Sequence, residues 1–283
     1  MGEEIGRHRS LDAHDISAFI GSFELDSIDL ERLDEVAALR SRFDRKYVLS
    51  PADGTDFLAA LFGGAHHHWA VLDVENRRQF DYRSLYFDHS LSLFWAHVRS
   101  RRLRFKVRTR TYGANSGAVL EIKTRDGRGH TMKFRIQRTD NLPRLTEEER
   151  TWVDRQLVSL GLTPCANVLV PSAEIRYQRM TLVDAQAHER ITIDLHVTAG
   201  WPASETTVPV LGDACVIEIK SNHVRTPPVA IMQQLGMRAV SMSKYCAGLA
   251  TLDPGLDQGV RRVGIRELER RAQRRASNIS RTR

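Results

Sequence analysis

Residues 104–112 read RFKVRTRTY. Arg104, Lys106, Arg108 and Arg110 fall on alternate positions, with Phe105, Val107, Thr109 and Thr111 between them. A strand has a side-chain period of two, so this stretch predicts a β-strand with four cations on one face. Like charges at that spacing repel. Such a face is either screened by water or built to meet something anionic.

The same alternation recurs along the chain. In LEIKT (120–124), Glu121 and Lys123 share a face opposite Leu120 and Ile122. In MKFRIQR (132–138), Lys133 and Arg135 share one. RITID (190–194) sets Arg190, Thr192 and Asp194 opposite Ile191 and Ile193, and IEIKS (217–221) sets Glu218 and Lys220 opposite Ile217 and Ile219. In DRKYVL (44–49), Asp44 and Lys46 lie together; in RYQRM (176–180), Arg176 and Arg179 fall on opposite faces. A solvated outer face explains any one of these strands. Charge at the centre of so many of them favours the interior of a closed barrel instead, with Val, Ile, Leu and Phe turned outward against helices.

Like charges confined together and partly removed from water raise each other's energy by amounts on the order of kcal/mol. A bound polyanion relieves that: arginine grips phosphate oxygens in pairs and lysine acts as a point charge. The EIK glutamates among these cations suggest a divalent metal bridging carboxylate and phosphate. By parity, Glu121, Lys106 and Lys133 point inward.

The rest of the chain supplies the frame. Residues 1–25 read as a weakly ordered lead-in, and 26–41 as a helix. A strand from Phe43 follows, then a helix opened by Pro51 and closed by Gly63 and Gly64. Residues 69–136 are mostly β, with hairpin loops at 113–117 and 126–129 and a helix over 89–101. Thr146 and Glu149 form a capping box for a helix over 146–160. Three more strands precede a last helix over 226–249, and residues 257–283 read as a frayed helix or tail dense in arginine. The expected class is α+β, an antiparallel β-tunnel with a charged interior flanked by helices. The expected division is a lead-in (1–25), one tunnel domain (26–252) and a basic tail (253–283). No GxGxxG or P-loop occurs.

The 283 residues carry a formal net charge of +7 and a pI near 9.6, which favours anionic partners. The cysteines, Cys165, Cys215 and Cys246, form no CxxC pair, so neither a disulfide framework nor a zinc site is supported. With no apolar leader and no long apolar run, the expected location is cytoplasmic.

The blocks RFDRKYVLS, YRSLYFD, KVRTRTY, LEIKTR, TMKFRI, IRYQR, RITID, VIEIKS and SMSKYCAGL, in that order over about residues 40–250, resemble the VTC domain. That is the polyphosphate-polymerase domain of the vacuolar transporter chaperone family, within the CYTH-like triphosphate tunnel metalloenzymes. The resemblance implies a tunnel holding triphosphate and polyphosphate. It implies that Lys46, Arg108, Arg110, Lys123, Arg179, Arg190 and Lys244 hold phosphates, aided by Tyr177 and Ser243. Glu218 would be the main metal ligand with Lys220 beside it, Glu121 a second ligand, and Lys106 and Lys133 further substrate contacts. The metal would be Mn²⁺ or Mg²⁺, and the partners ATP or another triphosphate and polyphosphate. The superfamily's opening ExExK is here FDRK, with Asp44 but an apolar Phe43, which supports the VTC branch and leaves fewer carboxylates.

The resemblance implies polyphosphate synthesis. Triphosphate hydrolysis and non-catalytic binding use the same residues and stay open at this level. Nucleic acid is disfavoured as a partner, because the cations are expected inside a narrow tunnel. SPX and membrane domains of full VTC assemblies are not in this sequence, so coupling to a membrane or a regulator would need a separate protein. His66–His68 read as a surface cluster, Cys246 as a packed thiol, and Trp95 and Trp152 as core anchors.

Overall fold

The computed structural model describes residues 13–36, 43–63, 68–113, 117–126, 130–140, 142–256, 259–260 and 262–281. In chain order the elements are α1 (Ala13–Gly21), β1 (Asp26–Ile28), α2 (Leu30–Val36), β2 (Phe43–Leu49), α3 (Pro51–Phe62), β3 (Trp69–Leu72), β4 (Phe80–Asp88), α4 (Ser92–Val98), β5 (Arg104–Tyr112), β6 (Val119–Arg125) and β7 (Thr131–Gln137). They continue with α5 (Glu147–Ser159), β8 (Val170–Asp184), β9 (Glu189–Gly200), β10 (Val208–Pro209), β11 (Cys215–Ser221), α6 (Pro227–Gln234), α7 (Lys244–Leu252) and α8 (Arg262–Arg281).

Eight strands form one path, β2-β11-β9-β8-β4-β5-β6-β7, with β1, β3 and β10 added at its side. Every pairing is antiparallel except β1 with β3. The sheet curls into a half-barrel flanked by helices. No ladder joins β2 to β7 among the described residues, so hydrogen bonding does not complete the expected closed barrel.

Alternation decides which way each strand faces. On the convex side, Tyr47, Leu49, Ile191, Ile193, Ile217 and Ile219 pack with Phe57, Leu58 and Met232 from α3 and α6. Farther round, Phe105, Val107, Leu120 and Ile122 pack on Val153 and Leu157 of α5, whose capping box is as the sequence predicts. The concave side is apolar at one end only. There Val48, Val216, Ile175, Val197 and Ala199 meet Tyr245, Cys246 and Leu249 of α7, which plugs that end. Gly248 permits the close approach, since a Cβ there would run into Ile175 Cδ1. In β9 the inward parity shifts from Asp194 to Val197 at His196, a non-glycine residue with φ of +51° where the β8–β9 register slips.

Several boundaries differ from the sequence reading. The expected lead-in contains α1, whose Ile16 and Ile20 are fully buried in the core on α3. Residues 26–41 begin with the short strand β1 before α2, and those from 37 to 42 lie outside the described residues. The single helix over 226–249 is two. Gly236, with φ of +69°, ends α6 in the left-handed conformation that suits glycine, and Ser243 caps α7 afresh. The arginine-rich segment is a docked helix, with Ile265 and Leu268 packed on the core and Arg271 buried against Asp53 of α3. Most of the two expected hairpin loops and His66–His67 lie outside the described residues, while His68 is exposed. Trp95 and Trp152 pack against the core, and the Cys246 thiol is buried. No helix among the described residues is long and apolar enough to cross a membrane.

Candidate active site

Beyond the α7 plug, the concave face is charged. Its floor and walls carry Asp44 and Lys46 from β2, Glu218 and Lys220 from β11, Arg190, Thr192 and Asp194 from β9, and Tyr177 and Arg179 from β8. β4 adds Tyr82, Ser84 and Tyr86, β5 adds Lys106, Arg108 and Arg110, β6 adds Glu121 and Lys123, and β7 adds Lys133. Strand register sets these side by side. Glu218 lies between Thr192 and Lys46, and Arg179 opposite Asp194. Every residue given a role by the resemblance thus falls on the face of one trough, with Ser243 and Lys244 delivered from the start of α7; Arg176 lies off it, paired with Glu174.

Three buried carboxylates organise it, each gripped by two cations. Glu218 Oε1 lies 2.7 Å from Lys220 Nζ and 3.3 Å from Lys46 Nζ. Asp194, fully buried, accepts from Arg179 Nε at 2.5 Å and Nη2 at 2.8 Å, and pairs also with Lys244. Glu121 accepts from Arg108 Nη2 at 2.6 Å and pairs with Lys133. Burial alone would raise all three pKa values, but the paired cations outweigh it. Glu218 is held well below the usual carboxylate range and Asp194 below it, and Glu121 falls to about 2.

Aromatic rings seat the cations between these clamps. Arg179 lies over Tyr82 and Tyr177, which stack with centroids 5.2 Å apart; Arg110 lies over Tyr82, and Lys244 over Tyr177. Arg108 donates to Tyr86 Oη at 2.9 Å and Arg110 to Ser84 Oγ at 3.0 Å. Lys106 Nζ donates to Ser243 Oγ at 2.7 Å, tying β5 to α7. These contacts fix the planes of the guanidinium groups along the trough wall.

Lys106, Lys123 and Lys133 lie directly opposite one another across β5, β6 and β7. Lys123 is open to the water of the trough yet flanked by protein on most sides. Burial, and after it Lys46, lower its pKa to about 7. Lys46, Glu218 and Lys220, at the other end of the strand path, all act on it. The curl therefore brings β2 and β11 within electrostatic reach of β6.

Sequence reasoning did not assign roles to Asp194, Thr192, Tyr82, Ser84 or Tyr86. The first two stand in RITID on the parity of Arg190. The other three alternate through FDYRSLYFD, where a polar or aromatic residue at every second position was the available signal.

A divalent cation fits this trough only in part. Among the described residues, no group of three or more His, Cys, Asp or Glu side chains could hold one. Glu121 and Asp194 are each held by an arginine and a lysine, whereas the partners of Glu218 are lysines alone. Glu218 and Asp44 remain, on neighbouring strands and linked through Lys220, beside the buried Thr192 Oγ1, which has no hydrogen-bond partner. One or two carboxylates with a hydroxyl suit a Mg²⁺-like ion that takes its remaining oxygens from substrate phosphates and water.

The VTC domain model matches residues 41–253, three quarters of the chain. The chain belongs to the VTC domain family. No curated protein matches it. Among solved structures, HpAC1 from Hippeastrum, studied as an adenylyl cyclase candidate with dominant triphosphatase activity, is 15% identical with a TM-score of 0.46, covering 75% of this chain and 96% of its own. An adenylate cyclase candidate from Bacillus halodurans is 12% identical with a TM-score of 0.43, covering 71% and 92%. PH1819 from Pyrococcus horikoshii is 12% identical with a TM-score of 0.40, covering 75% and 99%. Likeness this loose says nothing of what this VTC domain binds.

Proposed function

We propose that this VTC domain transfers phosphoryl groups within the trough, taking the γ-phosphoryl of ATP or a similar triphosphate onto the end of a polyphosphate chain. The observation that carries the reading is the in-register row Lys106, Lys123 and Lys133, faced by Lys46. Like charges directly opposite across strands destabilise a sheet. Lys133 is partly offset by Glu121 and Lys106 by Ser243, but Lys123 between them faces like charge on both sides, which suits a linear polyanion better than it suits folding.

Arg108, Arg110, Arg179, Arg190 and Lys244 hold the triphosphate, with Tyr177 and Ser243 adding hydrogen bonds. The lysine row and Lys46 line the path of the chain. In the transfer, a terminal polyphosphate oxygen forms a bond to the γ-phosphorus and the bond from that phosphorus to the β,γ-bridging oxygen breaks, releasing the nucleoside diphosphate. The attacking phosphate is already anionic, so no general base is needed. This chain contributes alignment and electrostatic stabilisation. Glu218, with Asp44 and Thr192 beside it, would hold a Mn²⁺ or Mg²⁺ ion, which when bound neutralises charge on the transferring group. The half-barrel serves as the tunnel, its facing walls enclosing the phosphates.

Because no ladder closes β2 onto β7 among the described residues, a second reading is hydrolysis of the triphosphate, with water in place of the chain end as the attacking group. The Glu218→Gln variant tests whether the trough is catalytic. It should still bind triphosphate, having lost one negative charge, while turnover falls at least a hundredfold. Unchanged turnover would remove Glu218 from the reaction.

A further inference from the structure

Lys220 has an unusual position for a phosphate-binding lysine. Its side chain is buried, and its Nζ lies 2.7 Å from Glu218 Oε1 and 3.3 Å from Asp44 Oδ2, on the two strands that supply the candidate cation ligands. An ammonium thus sits between the two carboxylates that would hold a divalent ion. Thr192, cross-strand neighbour of Glu218, adds a buried Oγ1 without a hydrogen-bond partner on the same face. A hydroxyl oxygen left so is costly unless some ligand takes it up, and a cation or its bound water would.

We propose that Lys220 is an internal placeholder for the divalent cation, so that cation and phosphate chain enter this site together and neither readily alone. The inference rests on the phosphate-binding reading of the trough and extends it to the order and coupling of binding. A free divalent ion arriving first must displace a tethered ammonium and meets the repulsion of Lys46 beside Glu218. A phosphate chain changes both conditions. It offers Lys220 and Lys46 other anionic oxygens, which frees Glu218, and it brings negative charge of its own. By linkage, whatever the phosphate adds to cation affinity the cation adds to phosphate affinity. The substrate class that follows is the metal–polyphosphate complex rather than the free anion.

The test uses Mn²⁺ alone, followed by the loss of its free-ion electron paramagnetic resonance signal on adding protein without nucleotide or phosphate. The wild-type protein should leave the signal almost unchanged. Lys220→Met should bind one Mn²⁺ at least tenfold more tightly, and a further Glu218→Gln change should abolish that gain. If Lys220→Met folds poorly, Lys220→Gln removes the charge while keeping an N–H donor, and gives the same comparison. Tight binding of Mn²⁺ by the wild-type protein alone overturns the proposal, as does a Lys220 variant that binds no better. Neither result bears on whether the trough transfers phosphoryl groups, which is read from wild-type turnover of ATP.

Discussion

At the scale of single residues, the trough divides its charges into two kinds. Arg108, Arg179, Lys133 and Lys244 are paired with buried carboxylates and hold the site's shape. Removing one member of a buried pair strands the others, at a cost of about 3–5 kcal/mol. Asp194→Asn should therefore lower the denaturant midpoint strongly, a loss read directly from urea unfolding. Lys123 belongs to the second kind, facing like charges. Lys123→Met should leave stability unchanged or slightly raised, by about 0.2–1 kcal/mol for each relieved contact, while triphosphate affinity falls at least tenfold by calorimetry. Bound phosphate favours the charged lysine, so binding near pH 7–8 should take up protons, visible as a buffer-dependent binding enthalpy. The alternation of charge made these positions legible in sequence. Which cations are clamped and which are not was illegible, because it depends on pairs such as Arg179 with Asp194 that only strand register brings together.

At the scale of elements, two helices set the trough's geometry. α7 carries Ser243 and Lys244 and seats on β8 and β9 through Gly248. Gly248→Ala would push a methyl group into Ile175, an overpacking that should cost about 1–3 kcal/mol and appear as a lower Tm. α4 is tied to β5 by His97, whose Nε2 lies 3.0 Å from the Phe105 carbonyl oxygen. Burial, then Lys106, lower the His97 pKa from 6.5 to about 3, so the ring stays neutral and donates from Nε2. The unfolded chain takes up a proton below pH 6.5 that the folded one refuses until about pH 3, so stability should fall with acid across that window. His97→Gln, which keeps a donor, should flatten the upper part of that slope in urea titrations between pH 7 and 4. Caps and turn residues made α3 and α5 readable in advance. The break between α6 and α7 was not, since one glycine inside an otherwise helical pattern gives a weak signal until its left-handed φ is seen.

At the scale of the molecule, α8 lies beyond the family match yet braces the unit within it. Arg271 and Arg275 both reach Asp53 Oδ1, at 2.7 Å and 2.8 Å, and Arg270 and Arg271 donate to the carbonyl oxygens of Gly236 and Leu235. The helix therefore ties α3 to the end of α6. A basic composition reads as a solvated arm, and only the spacing of Ile265, Leu268 and Arg271 separates a docked helix from one. The barrel's charged interior was similarly legible from alternation. Its extent was not, because closure depends on how far the sheet curls between β2 and β7, which no local pattern encodes. The central claim is that these facing walls grow a phosphate chain. Its most direct measurement is the chain-length distribution of products from purified protein, ATP and Mn²⁺ or Mg²⁺. The account predicts polyphosphates longer than the input triphosphate. Free phosphate without chain growth, or ATP left unconsumed while it remains bound, would contradict it.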